Sequence, residues 1–190
     1  MITTMSLPQP PAGEADAAIH FIGGASAGTP GADAARVGQK AHNLIRMAAL
    51  GLPVPPAFAL DTALCRAFFA AGGRMPSSGD ELLAAGTRWL EGVTGASFGG
   101  ARRPLLVSVR SGAPVSMPGM MDTVLDIGLN DITVHSMIRA TGNPRLAWDS
   151  YRRLIQSYAA IVRGCPPEPF ARVIERVRAA GSWSGPEECD

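Results

Sequence analysis

The sequence predicts an α+β fold, with a small mixed sheet and its helices first and a helical segment after them. Three observations predict it. Short β-rich apolar runs stand at Ile19-His20-Phe21-Ile22 and Leu105-Leu106-Val107-Ser108-Val109. Between them, apolar residues recur at helical spacing, as in Ala41, Leu44, Ile45 and Ala48. Beyond Asn130 the periodicity is helical only. The expected organisation is a tail over 1–18, an α/β subdomain over 19–129, an incomplete helical subdomain over 130–180 and a tail over 181–190.

Each element has a local reason. The Ile19–Ile22 run ends at Gly23-Gly24 and reads as a strand, and Gly28–Gly31 as a loop. A helix starts near Gln39, with Gly51 placed to terminate it. The prolines of Leu52-Pro53-Val54-Pro55-Pro56 forbid helix and lead an extended segment into Phe58 and Leu60, at or just outside a sheet edge. Asp61 or Thr62 can cap a second helix that directs Leu64 and Phe68 inward and ends near Gly72-Gly73. Pro76–Gly79 reads as a turn, and Asp80–Val93 as a helix with Leu82, Leu83, Leu90 and Val93 on its apolar side. Leu105–Val109 is the clearest candidate for a buried strand, and Val124–Leu129 returns as another. Asn143-Pro144 is a strong helix start, followed by an amphipathic helix to Gly164, and Phe170, Val173, Ile174 and Val177 mark a last one.

Composition narrows the function classes. The chain of 190 residues carries 17 Lys+Arg against 16 Asp+Glu, a net charge of +1, so it has no basic footprint for nucleic acid. Cys65, Cys165 and Cys189 form no CxxC pair, which argues against a disulfide framework or zinc site and fits a reducing cytoplasm. No segment has the pattern of a signal peptide or a membrane span. Lys40 is the only lysine. Arginine can replace most solvated lysines, so a single survivor is a candidate for work that needs a compact ammonium.

Two segments can carry chemistry. Gly38-Gln39-Lys40 opens a helix, where unpaired N–H groups and the positive dipole end suit phosphate. By spacing alone, a lysine solvating a first turn is the commoner case, and the pattern is not a Walker A loop. The second segment runs from Arg110 to Thr123. Arg110 follows the strand directly and can grip phosphate oxygens bidentately. Ser111-Gly112 and Pro118-Gly119 permit close backbone approach, Ser116 and Thr123 offer hydroxyls, and Asp122 offers a carboxylate. The competing reading of this loop is an irregular surface excursion, and of Met117, Met120 and Met121 plain packing. His20 falls in the first strand, His42 reads as solvated and His135 as structural. No metal-ligand spacing, Ser/His/Asp set or nucleophile is apparent.

Several collinear motifs resemble those of the pyruvate phosphate dikinase family. Val37-Gly38-Gln39-Lys40-Ala41-His42-Asn43-Leu44 and Gly51-Leu52-Pro53-Val54-Pro55-Pro56-Ala57-Phe58 are similar to its GGKGANL and LGLPVPPGF segments. Ser108–Gly112 and Ser116–Thr123 are similar to its SVRSG and SMPGMMDT segments; the latter favours the dikinase over phosphoenolpyruvate synthases and glucan, water dikinases. Gly128–Asp131, Asn143–Arg145 and Asp149–Arg153 continue the match in order, within a resemblance that runs from about Ile19 to about Arg178.

The resemblance implies an ATP-grasp nucleotide domain with a helical insertion, belonging to an enzyme that makes phosphoenolpyruvate, AMP and diphosphate from ATP, pyruvate and phosphate. It implies ATP with Mg2+ as the nucleotide. It assigns Lys40 and Arg110 to the ATP phosphates and the segment Ser116, Gly119, Met121, Asp122 and Thr123 to a loop over the γ-phosphate. In the family the acidic magnesium ligands, the phosphohistidine domain and the pyruvate barrel lie beyond the region matched here. A second chain supplying those parts, or self-association, is therefore expected, with catalysis absent from this chain alone. The alternative is a non-catalytic remnant or interaction module. Gln39 and Ala41 stand where the family segment has glycines.

Overall fold

The computed structural model describes residues 18–24, 32–111 and 123–181. Among them are seven helices and four short strands: β1 (Ile19–Ile22), α1 (Ala34–Val37), α2 (Gln39–Ala49), β2 (Ala57–Leu60), α3 (Thr62–Ala70), α4 (Ser77–Thr94), β3 (Val107–Arg110), β4 (Thr123–Ile127), α5 (Thr133–Thr141), α6 (Pro144–Arg163) and α7 (Glu168–Gly181). The α+β class is as expected. In place of one small mixed sheet, the described strands form two antiparallel pairs, β1–β2 and β3–β4. The described residues divide into two compact units, one within 18–96 and one within 97–181.

In the first unit, β1 is buried along its whole length and pairs with β2 from Ile19 opposite Leu60 to Ile22 opposite Ala57. Burial of both faces explains a continuous apolar run in place of alternation. Ile22 packs with Ala32, Val37 and Ile45, joined by Ala41, Leu44, Val54, Ala57 and Ala59. Phe21 meets the indole of Trp89 on α4, ring centroids 4.9 Å apart. The apolar face read for α2 is therefore the face that meets the sheet. Its C-terminus closes at Leu50, with Gly51 at φ +75° just beyond. On α4, Leu82, Trp89 and Leu90 are buried while Leu83 is 40% exposed. That helix begins at Ser77, with Pro76 preceding its first turn, so the turn expected over Pro76–Gly79 is corrected to helix from its second residue. Proline at that position lacks only an N–H that the first turn could not have used.

In the second unit, β3 and β4 form a hairpin: Val107 faces Ile127, Val109 faces Val124 and Arg110 faces Thr123. One extra residue of β4 lies between the first two pairs, and Asp126 there has φ +57°, the geometry of a β-bulge. The expectation of a buried strand over Leu105–Val109 is corrected. Leu105 is buried, but β3 begins at Val107 and Val109 is 53% exposed. Helix α6 packs on β4, and β3 packs chiefly against β4 among the described residues.

The helices of this unit are fixed at their starts. Asn130 Oδ1 accepts from the N–H groups of Ile132 and Thr133, both at 2.9 Å. Thr133 Oγ1 donates to the Gly128 carbonyl and accepts from Asn130 N–H, both at 2.8 Å. Asn143 caps α6 through Leu146 N–H at 2.9 Å, Pro144 is its first residue, and it stops at the left-handed Gly164. Val134 and Ala147 are fully buried between α5 and α6. Helix α7 buries no residue completely.

Gly128 joins β4 to this helical segment at φ +117°, and a β-carbon there would lie 2.4 Å from the Leu105 carbonyl oxygen. Both the dihedral and the close approach demand glycine. Gly128→Ala should destabilise the protein by about 1–3 kcal/mol or more. Urea unfolding of the variant checks this, and a midpoint equal to wild type would contradict it.

Candidate functional site

Lys40 is the second residue of α2 in the first unit and is partly exposed. Two features shape its setting. Gly38, at φ +81° and ψ 154°, ends α1 and starts α2, so the chain turns sharply between two helices at one residue. A side chain would be strained in that conformation. No side chain caps the start of α2, and its first turn holds no acidic residue. The positive end of the helix and the Lys40 ammonium thus reinforce one another.

The two departures from glycine have structural accounts. Gln39 Nε2 donates to Asn43 Oδ1 at 3.0 Å, one turn along the helix, which engages its amide beside the helix. Ala41 packs against the apolar cluster around Ile22 and Ile45. Its methyl group therefore serves the core.

In the second unit Arg110 is the last residue of β3 and exposed, and Thr123 is the first of β4. The two are register partners, so the structure brings them together where the chain leaves and re-enters the hairpin. No ion pair of Lys40 or Arg110 occurs among the described residues. Ser116, Gly119, Met121 and Asp122 lie outside the described residues. Among the described residues, no group of three or more His, Cys, Asp or Glu side chains could hold a metal ion.

The later motif segments also converge. Tyr151 donates from its hydroxyl to Asp131 Oδ1 at 2.9 Å, and that hydrogen bond, with burial and the carboxylate charge, raises the phenol above its usual range. Asp149 accepts from Arg152 Nε at 3.0 Å and from Arg153 Nε at 2.6 Å. Burial alone would raise its carboxyl, but the hydrogen bonds and charges of the two arginines outweigh it and hold the group below the usual carboxylate range. His135 meets Trp148 edge to face at 5.6 Å.

A polar cluster with no local signature in the sequence joins β1, α1 and the start of α3. The Asp61 side chain is 5% exposed. Its Oδ1 caps α3 through Ala63 N–H at 2.8 Å, while its Oδ2 accepts from Arg36 Nε at 2.8 Å and lies 3.4 Å from His20 Nε2. Nε2 of His20 must carry a hydrogen to face a carboxylate favourably. His20 Nδ1 is buried and has no hydrogen-bond partner among the described residues. Asp61 was legible as a helix cap; its ion pair joins residues 25 positions apart, and local sequence carries no signal for it. His42 is corrected as well: its Nδ1 lies 3.0 Å from the Ala32 carbonyl in a partly buried contact, where a solvated ring was expected.

The chain thus has two fixed roots for basic side chains: a helix start bearing Lys40, and a hairpin end bearing Arg110 beside Thr123. Each is, by itself, a backbone-anchored cation of the kind that can meet a phosphate oxygen. Comparison with known proteins supplies the family. The chain is 46% identical over 161 residues to a pyruvate, phosphate dikinase of Rhizobium meliloti, covering 85% of this chain and 18% of that protein. It is 43% identical over 142 residues to the dikinase of Clostridium symbiosum, covering 75% and 16%, and 48% identical over 144 residues to pyruvate, phosphate dikinase 2 of Oryza sativa, covering 76% and 16%. No family model matches the chain. By these similarities it belongs to the pyruvate, phosphate dikinase family, and it spans less than a fifth of the length of these relatives.

The Asp61 cluster gives a pH dependence. Burial pushes its carboxyl up, but the Ala63 N–H, Arg36 and His20 together bring it below the ordinary aspartate value. A depressed folded-state value means that the carboxylate stabilises the fold above the unfolded-state pKa, about 3.9. That stability is lost as pH falls through the lower folded value. Thermal melts should show Asp61→Asn less stable at neutral pH by about 1.5–3 kcal/mol, with the gap closing below about pH 4. An equal gap at all pH values would contradict the assignment.

Proposed function

We propose that this chain is the ATP-phosphate-holding segment of a pyruvate, phosphate dikinase-like phosphotransferase, with residues 19–129 forming an ATP-grasp-like subdomain and 130–180 part of a helical one. The carrying observation is the pairing of anchored cations with family identity: Lys40 stands at the uncapped start of α2, and Arg110 at the hairpin end. In this reading Lys40 and Arg110 hold ATP phosphates delivered as the magnesium complex. Thr123 forms one end of a phosphate-covering segment that includes Ser116, Gly119, Met121 and Asp122. Phosphoryl transfer depends chiefly on positioning and charge stabilisation, which is work that such residues can do.

The rest of the chemistry, from magnesium ligation to phosphate transfer onto pyruvate, belongs in this proposal to the remainder of a dikinase. The amphipathic faces of α6 and α7 favour a partner surface: Trp148, Ile155, Tyr158, Val162, Val173 and Val177 are all between 44% and 54% exposed. No helix among the described residues is long and apolar enough to cross a membrane.

Two measurements test the reading. Calorimetry of this chain alone with magnesium-ATP should show weak or no binding and no pyruvate-dependent turnover; robust phosphoenolpyruvate formation by the isolated chain would overturn the proposed division of labour. When the remaining dikinase regions are added as a second polypeptide, turnover should appear, and Lys40→Ala or Arg110→Ala should lower it on the order of 100-fold or more. Unchanged turnover in both variants would remove the assigned roles.

A further inference from the structure

The Gly38 elbow that presents Lys40 is held from two sides. From one side, Asp61 Oδ2 accepts from Arg36 of α1, and Thr62 Oγ1 donates to the Ala35 carbonyl at 2.8 Å. The start of α3 therefore grips both a side chain and the main chain of α1. From the other side, His42, in the first turns of α2, contacts the Ala32 carbonyl just ahead of α1. Helix α1 is only four residues long, and Gly38 N–H closes it on the Ala34 carbonyl. An element that short has little stability of its own. Its position is therefore set by what holds it, and α2 begins at the residue where it ends.

We infer that Asp61, with Arg36 and His20, is a positioning group that fixes the Gly38 elbow and thereby the placement of Lys40. The inference rests on the reading of Lys40 as a phosphate-holding residue for its functional meaning, but not for its geometry. The other charged groups of the packed elements are engaged elsewhere or on separate faces. Asp33 caps α1 through Ala35 N–H, and Arg66 donates to Thr62 Oγ1. Lys40 and Arg46 of α2 pair with no carboxylate among the described residues. Asp61 is thus the charged hub between β1, α1 and α3. Neutralising a carboxylate that is 5% exposed removes the charge that opposes the Arg36 guanidinium and so weakens the hold on α1.

Because Lys40 is the only lysine, its environment can be read in isolation. Reductive methylation with 13C-formaldehyde labels Lys40 and the α-amino group, and the resonance missing from Lys40→Arg identifies that of Lys40. Asp61→Asn keeps an acceptor for the α3 cap but loses the charge pair, and Arg36→Gln loses the same pair from the more exposed side. With circular dichroism unchanged, each should shift the Lys40 resonance, and the double variant should shift it no further than the larger single effect. In the unsubstituted chain the resonance should move as acid protonates Asp61, and this acid step should vanish in Asp61→Asn. Arg74→Gln, just past the end of α3 and bonded to the Ala71 carbonyl, should leave Lys40 unmoved. A Lys40 resonance identical to wild type in both Asp61→Asn and Arg36→Gln would overturn the inference, as would fully additive shifts. The measurement needs no nucleotide. Shifts together with absent ATP binding in the reconstituted enzyme would leave the positioning in place and remove only the phosphate reading.

Discussion

A carboxylate inside a protein must be compensated, and the way Asp61 is compensated organises the first unit. Its two oxygens serve three elements: Oδ1 starts α3, while Oδ2 holds Arg36 of α1 and approaches His20 of β1. Desolvation works against the charge, and the three donors reverse the balance. The apolar cluster of Ile22, Val37 and Ile45 supplies most of the burial on this side of β1, but apolar contact has no direction. Where α1 sits along that surface is set by the directional bonds at Asp61 and Thr62, and α2 starts from the point where α1 stops.

The second unit answers the same problem with main-chain groups. The Gly128 carbonyl and the Asn130 amide meet at the Thr133 hydroxyl, which is completely buried. This fixes the exit of β4 into α5, and the absence of a β-carbon at Gly128 lets Leu105 approach. The bulge at Asp126 lies close to this exit, and the other end of the hairpin is the register pair formed by Arg110 and Thr123. Both ends of β4 are thereby constrained, one by a hydroxyl and the other by strand register. Arg110 gains a firm backbone root although its side chain is exposed.

What could be read from the sequence follows the range of the signals. Cap and stop residues act within a turn, so Asp61, Gly51, Asn143-Pro144 and Gly164 each mark a helix end found in the structure. The four residues of α1 are too few to establish a period, and the Asp33 cap is a slight signal for so short a helix. Burial of β3 was overestimated because β-propensity reports a suitable side chain and not whether another layer covers it. Trp89 escaped the list of inward residues on α4 because its partner, Phe21, lies 68 positions earlier. The cation roots at Lys40 and Arg110 were legible through motif resemblance, whereas the Arg36–Asp61 bond is a tertiary fact with no local trace.

The replacements at Gln39 and Ala41 sharpen what a lysine at a helix start requires. Glycine at such positions keeps side-chain atoms away from an incoming ligand. Here the same end is reached differently: Gln39 is drawn along the helix to Asn43, and Ala41 lies on the core side. Only Gly38 is compelled by backbone geometry, because it alone of the three carries the positive φ of the elbow. The demands at this site are therefore unequal. A bend at Gly38, an ammonium at Lys40 and a firm hold on α1 are needed to place the charge, while residues 39 and 41 can vary as long as their side chains are engaged off the helix end.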